Sequence, residues 1–174
     1  MFTLAAALAC ASWLYLALWH GRFWRADQYL EPAARPIETA PAVVAVVPAR
    51  DEADVIGRSV ASLLNQDYPG LFQIILVDDR SSDGTAAAAH AAAWATGKAH
   101  RLTVVTAPPL EPGWTGKLWA IAAGLREAAT RVPDARYVLL TDADIHHTRD
   151  NLSRLVDKAA HDRCDLVSLM VMLH

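Results

Sequence analysis

"VVAVVPARDEADVIGRSVASLLNQDYPGLFQIILVDD", residues 43–79, sets two apolar runs on either side of an amphipathic stretch. Residues 43–49 are short and rich in β-branched side chains, and read as a strand. Residues 52–66 bring Val55, Ile56, Val60, Leu63 and Leu64 near one face of a helix. "DYPG" (67–70) is a turn, and "QIILVDD" (73–79) is a second strand. Strand, helix and strand in that order mean parallel strands joined by a right-handed crossover. Runs that are apolar throughout, rather than alternating, fit a sheet covered on both faces.

The same rhythm continues along the chain. An Ala-rich helix is predicted over 83–97 with Asp83 as its N-cap, and a third strand over 101–107. A loop over 108–116 leads to a helix over 117–129 and a fourth strand over 136–142. A helix over 151–162 and a last strand over 165–173 follow. The fold class is therefore α/β, with a mostly parallel sheet flanked by helices. In such sheets ligands bind outside the carboxyl ends of the strands. Arg50-Asp51-Glu52, Asp78-Asp79 and Asp142-Asp144 all fall at those ends.

The totals narrow the function. With 174 residues the chain has room for one domain with a real core. A net charge of −3 and the lack of a basic stripe argue against nucleic acid as a partner. Cys10 and Cys164 stand far apart, which fits a reducing compartment and no disulfide framework.

Residues 2–19, "FTLAAALACASWLYLALW", carry no charged side chain. As a helix they reach ~27 Å, close to the roughly 30 Å of a hydrocarbon core. Arg22 and Arg25 follow at once, so the expectation is an anchor over 1–22 in the inner or plasma membrane. The positive-inside rule then puts the remainder in the cytoplasm. Residues 23–41, ending in the Pro-rich "EPAARPIETAP", read as a juxtamembrane linker, and 42–174 as the soluble domain.

Asp142 and Asp144 stand two apart, and in an extended segment such residues project to the same side. Two carboxylates so placed repel each other unless a cation lies beside them. Mg²⁺ or a similar hard ion, held by one or two carboxylates and substrate phosphates, relieves that. Asp78 and Asp79 admit two readings: a turn before the next helix, or carboxylates that accept hydrogen bonds from a nucleotide base or ribose. Lys117 opens a helix after a Gly-containing loop, an arrangement that suits phosphate. His146 and His147 read as a solvent-facing loop pair more readily than as metal ligands. Trp114 and Trp119 read as packing or loop anchors. The first crossover lacks G-x-G-x-x-G, and "GWTGKL" (113–118) lacks the spacing and hydroxyl of a P-loop.

Four ordered stretches, "VVPARDEADVIGRSVASLLNQDYP", "ILVDDRSSDGT", "GWTGKLWAIAAGL" and "LLTDADIHHTRDNL", together resemble the family 2 glycosyltransferases of GT-A fold. The "PGWTGK" variant (112–117), after an apolar N-terminus, most resembles the hopanoid-biosynthesis-associated branch and is similar to ceramide glucosyltransferases. The resemblance implies a nucleotide-diphospho-sugar donor, Mg²⁺ or Mn²⁺, inversion at the sugar carbon and a lipid acceptor. It implies that Pro48, Ala49, Arg50 and Glu52 line the nucleotide pocket and that Asp79 contacts the base. Lys117 would lie near the nucleotide or its phosphates, Asp142 near the ribose or metal, and Asp144 on the metal. Arg50-Asp51 stands where many relatives carry Tyr-Asn. No residue matches the family's general base, which is expected beyond His174, so the chain resembles the donor-binding half of a longer enzyme. The rival expectations are a nucleotide-binding fragment without catalysis and a nucleotidyltransferase. The latter expects a Gly-rich basic loop where Asp51, Glu52 and Asp54 stand.

Overall fold

A computed structural model of the chain describes residues 2–20, 30 and 40–169. The chain forms two compact units, Met1–Pro32 and Ala33–His174. In the first, α1 (Phe2–Leu18) is a 17-residue helix with apolar side chains on every side. Leu4, Leu8, Trp13, Leu14 and Leu18 are all exposed. At about 1.5 Å per residue this helix reaches roughly 25 Å, short of a hydrocarbon core of about 30 Å. Among the described residues no helix is long and apolar enough to cross a membrane, which corrects the expected transmembrane anchor over 1–22. Arg22 and Arg25, which would orient such a span, lie outside the described residues, as does most of the expected linker.

In the second unit the elements run β1 (Val43–Ala49), α2 (Ala53–Leu64), β2 (Phe72–Asp78), α3 (Thr85–Ala95), a 3₁₀ turn (Ala99–Arg101) and β3 (Leu102–Thr106). They continue with α4 (Gly116–Arg131), β4 (Tyr137–Leu140) and α5 (Asn151–His161). The four strands form one parallel sheet in the order β3-β2-β1-β4. Val43 of β1 lies opposite Phe72 on one side and Tyr137 on the other.

The period-2 geometry of β1 sorts its side chains into two cores. Val43, Ala45 and Val47 pack with Ile56, Val60, Leu63 and Leu64 of α2, Ala89 and Ala93 of α3, and Leu152 and Val156 of α5. Val44 and Val46 pack with Ile75, Val77, Ala120 and Ala128 on the α4 side. Both faces of β1 and β2 are therefore covered, and these strands need no polar alternation, whereas Val138 and Leu140 of β4 (Tyr137–Leu140) stay exposed. Burying each Val, Leu or Ile side chain contributes about 1.5–3 kcal/mol before chain entropy is subtracted. On the α4 side the helix lies so close that Gly124 is required: a Cβ there would stand 2.4 Å from Val46 Cγ1.

Three details differ from the sequence reading. The strand expected over 165–173 is irregular through residue 169, and its remainder lies outside the described residues. β4 ends at Leu140, so Asp142 and Asp144 lie beyond it in a turn rather than on an extended strand. The ladder persists one residue further, with Thr141 N donating to Val46 O at 3.4 Å. The N-cap of α3 is Gly84, at φ +95, and not Asp83.

Candidate functional site

The carboxyl ends of β1 and β2 open into two loops that lace together. Asp51 and Arg80 both sit in the left-handed region, at φ 53 and 58. The Asp51 amide donates to Ser81 Oγ at 2.9 Å, and the Asp51 carboxylate accepts from Ser82 N at 2.8 Å. Glu52 N donates to Thr85 Oγ1 at 2.9 Å. Asp83 spans two helix starts, accepting from Ala53 N at 2.8 Å and from Thr85 N at 3.0 Å. One carboxylate thus serves the first turns of α2 and α3, where N–H groups lack partners along the helix. The Thr85 hydroxyl, and after it the Ala53 amide, hold the Asp83 carboxyl below its ordinary pKa.

This lacing sets Pro48, Ala49, Arg50 and Glu52 beside Asp79. Asp79 N donates to Ala49 O at 2.8 Å, continuing the ladder one residue past β2. The Asp79 side chain is largely covered and faces Arg50 Nη1 at 3.4 Å. The first turn of α4 comes up to the same carboxylate. A Cβ on Gly116 would lie 2.9 Å from Asp79 Oδ2, so glycine permits the approach, and the positive end of a helix favours an acidic neighbour. Lys117, next along α4, reaches across to Asp142 with Nζ 2.7 Å from Oδ1.

Pro48, Ala49, Arg50, Glu52, Asp79, Lys117, Asp142 and Asp144 all line one cavity of about 370 Å³. Gly116, Ala120 and Ala143 complete its wall. Ala143 is buried, which fixes the turn between the two aspartates while Asp142 and Asp144 stay exposed. The cavity presents four carboxylates and two cations. A diphosphate entering alone would meet an excess of negative charge, with Arg50 and Lys117 as its only cationic contacts.

Among the described residues no group of three or more His, Cys, Asp or Glu could cage a metal ion. The donor set nonetheless fits Mg²⁺ or Mn²⁺, which take one or two carboxylates and complete their shell with substrate phosphates and water. Asp142 and Asp144 supply such a pair.

His147 is not a surface histidine. It is 8% exposed, and both ring nitrogens have partners, Thr141 Oγ1 at 3.0 Å from Nε2 and Asn151 Nδ2 at 2.9 Å from Nδ1. Neither nitrogen is left for a metal. Burial, and then neighbouring His146, hold the imidazole below its ordinary pKa. Trp119 is buried, donates from Nε1 to Pro108 O at 3.2 Å and lies under the Arg126 guanidinium. Trp114 leans on it with ring centroids 5.2 Å apart, so both act as loop anchors.

Sequence reading missed Ser62 and Gln66 near the end of α2. Ser62 Oγ accepts from His147 N at 3.0 Å. Gln66 donates to Thr148 O at 2.7 Å and accepts from Leu152 N at 2.8 Å. Together they fasten the segment after the two aspartates. The signal was present: Ser59, Ser62 and Gln66 are polar residues on the helical face that otherwise buries Ile56 and Leu63.

Residues 26–174 match the sequence profile described as "Glycosyl transferase family 2". The chain is 32% identical over 128 residues to an N-acetylglucosaminyltransferase of Rhizobium leguminosarum bv. viciae, covering 72% of this chain and 27% of that relative. Its fold is similar to that of a mannosyltransferase from Pyrobaculum calidifontis, solved with GDP-Man and Mn²⁺. That pair has a TM-score of 0.65 and 28% identity, over 91% of this chain and 43% of the other. A likeness of fold alone links it to S. aureus TarS 1–349, solved with UDP-GlcNAc. Here the TM-score is 0.54 at 22% identity, over 70% of this chain and 32% of that one. The chain thus spans about a quarter to under a half of these proteins' lengths.

Proposed function

The chain belongs to glycosyl transferase family 2, and from that premise we propose that it holds the donor-binding half of an enzyme transferring sugar from a nucleotide-diphospho-sugar. The observation that carries this reading is the convergence of eight residues from separate strand ends and α4 on one cavity. The mannosyltransferase solved with GDP-Man and Mn²⁺ supports the donor class and the metal.

In this proposal Arg50 and Lys117 receive the diphosphate, and Pro48, Ala49 and Glu52 wall the nucleotide. Asp79, held by Arg50 and facing the start of α4, accepts hydrogen bonds from the base. Asp142, paired with Lys117, would lie near the metal or ribose, and Asp144 would hold the metal. When bound, the ion offsets charge developing on the diphosphate leaving group. Transfer with inversion requires a base for the acceptor hydroxyl, a role we give to none of these cavity residues.

Finer readings rest on the N-terminal unit and the α4 loop. A helix apolar on every side must be covered, and we propose that lipid covers α1 without being spanned by it. The same helix supports a lipid acceptor, and "PGWTGK" (112–117) supports the hopanoid-associated branch.

The test is Asp144→Ala in the full chain, titrated calorimetrically with UDP and with GDP, each with and without Mn²⁺. The variant loses the Mn²⁺-dependent part of the affinity. Affinity equal to that of the unsubstituted chain refutes the assignment. Release of free sugar from UDP-GlcNAc or GDP-mannose separates a catalytic chain from one that only holds nucleotide.

A further inference from the structure

The turn carrying Asp142 and Asp144 leaves the sheet at Thr141 and returns at His147. A single imidazole closes its base. Nδ1 faces the Asn151 side-chain nitrogen, a donor, and so accepts. The ring proton then sits on Nε2 and is donated to Thr141 Oγ1. The backbone amide of the same residue is tied to Ser62 of α2. His147 therefore joins the last residue of the sheet ladder, the first residue of α5 and the core helix α2 at one buried point.

We propose that His147 is a positioning residue: its neutral imidazole fixes the 142–146 turn so that both aspartates face the cavity before any ligand arrives. The inference rests on the donor-site reading for its consequence, but not for its geometry. A turn free to swing must be ordered at the moment of binding, and that ordering weakens the metal-bound state. Asp142 and Asp144 are exposed, and besides this closure they are restrained by buried Ala143 and, at Asp142, by the solvent-exposed pair with Lys117.

The experiment uses the full chain and two readouts. Amide hydrogen exchange follows residues 141 and 147, whose hydrogen-bonded amides bracket the turn, with β1 and β2 as internal reference. Calorimetry follows UDP and GDP binding with and without Mn²⁺. His147→Ala is expected to speed exchange at residues 141 and 147 by about tenfold and to weaken Mn²⁺-dependent affinity by about tenfold, as loss of one to two hydrogen bonds predicts. Exchange in β1 and β2, and metal-free nucleotide affinity, stay within about twofold. His147→Gln places an amide nitrogen near the Nε2 position, within reach of Thr141, and restores much of both effects. Should His147→Ala fail to fold, Thr141→Val removes the same ring contact and carries the test. Unchanged exchange at residues 141 and 147 overturns the proposal, and so does exchange raised equally in β1 and β2. If the unsubstituted chain binds neither nucleotide with Mn²⁺, the donor-site reading falls, and the exchange result alone decides whether His147 holds the turn.

Discussion

Replacing Gly124 by alanine tests how closely α4 lies on the sheet. The added Cβ would stand 2.4 Å from Val46 Cγ1 and 2.9 Å from Val77 Cγ2. Carbon atoms in ordinary contact lie about 3.5–4.0 Å apart, so roughly 1 Å of movement is needed. Val46 and Val77 are each 0% exposed, and β-branched side chains have few rotamers to retreat into. Overpacking of this kind costs about 1–3 kcal/mol, and two buried contacts on neighbouring strands argue for the upper end. Against it stands the gain of about 1 kcal/mol from replacing glycine inside a helix. The net loss is about 2 kcal/mol, or roughly 4–8 °C in Tm for a chain of this size. Gly57→Ala supplies the reference. Its Cβ would meet Ala92 at 3.8 Å, an ordinary contact inside α2, so only the propensity gain remains. That variant should melt about 2–4 °C higher than the unsubstituted chain. Circular dichroism melts and urea titrations of all three proteins measure the difference. A Gly124→Ala protein as stable as Gly57→Ala would refute the reasoning. Lys117 lies two turns along the same helix, so an outward shift of α4 also moves its ammonium from Asp142, and nucleotide affinity falls with stability.

Lys117→Met separates binding from folding: the Lys117–Asp142 pair is exposed on both sides and worth at most about 1 kcal/mol, so Tm changes little. Calorimetric affinity for UDP or GDP should nonetheless fall by about tenfold, since hydrogen bonds to charged groups are worth more than neutral ones. His147 titrates lower in the folded chain than its ordinary 6.5, so below that pH the unfolded chain takes up the proton first. Stability should therefore be complete above about pH 6.5 and decline as pH falls toward the folded value; His147→Gln should flatten urea-measured stability across that window. Asp83 has the carboxylate sign: its contribution is present above 3.8 and lost as pH falls through its lower folded value. Asp83→Ala should remove that acid-limb dependence and raise amide exchange at Ala53 and Thr85 together.

The sheet was legible because both faces of β1 and β2 are covered, which leaves those strands as unbroken apolar runs that no surface helix would show. The cavity was legible because a parallel sheet delivers every strand's carboxyl end to one side, so acidic clusters distant in sequence were expected to meet. What stayed hidden depends on contacts between segments far apart. Asp83 stands one residue before the N-cap Gly84, and its carboxylate serves Thr85 and also Ala53, thirty residues earlier. "IHHT" shows nothing in its own pattern of which histidine is buried; Ser62 and Asn151 decide that. Asp142 and Asp144 share a cavity through a turn and a buried Ala143, where an extended strand had been expected. The run 165–173 has the composition of a strand, yet through residue 169 no neighbour pairs with it among the described residues. α1 is apolar on every side, yet among the described residues no helix is long and apolar enough to cross a membrane.

β4 pairs with β1 alone among the described residues, so its outer row of amides and carbonyls has no strand partner there, beside exposed Val138 and Leu140. Such a margin invites pairing: two copies can zip along it, and the pair then uses up the open edge of both. That association grows with protein concentration, whereas ligand capture in the cavity does not. Titrations run dilute therefore report the pocket, and those run concentrated report the sheet's open side.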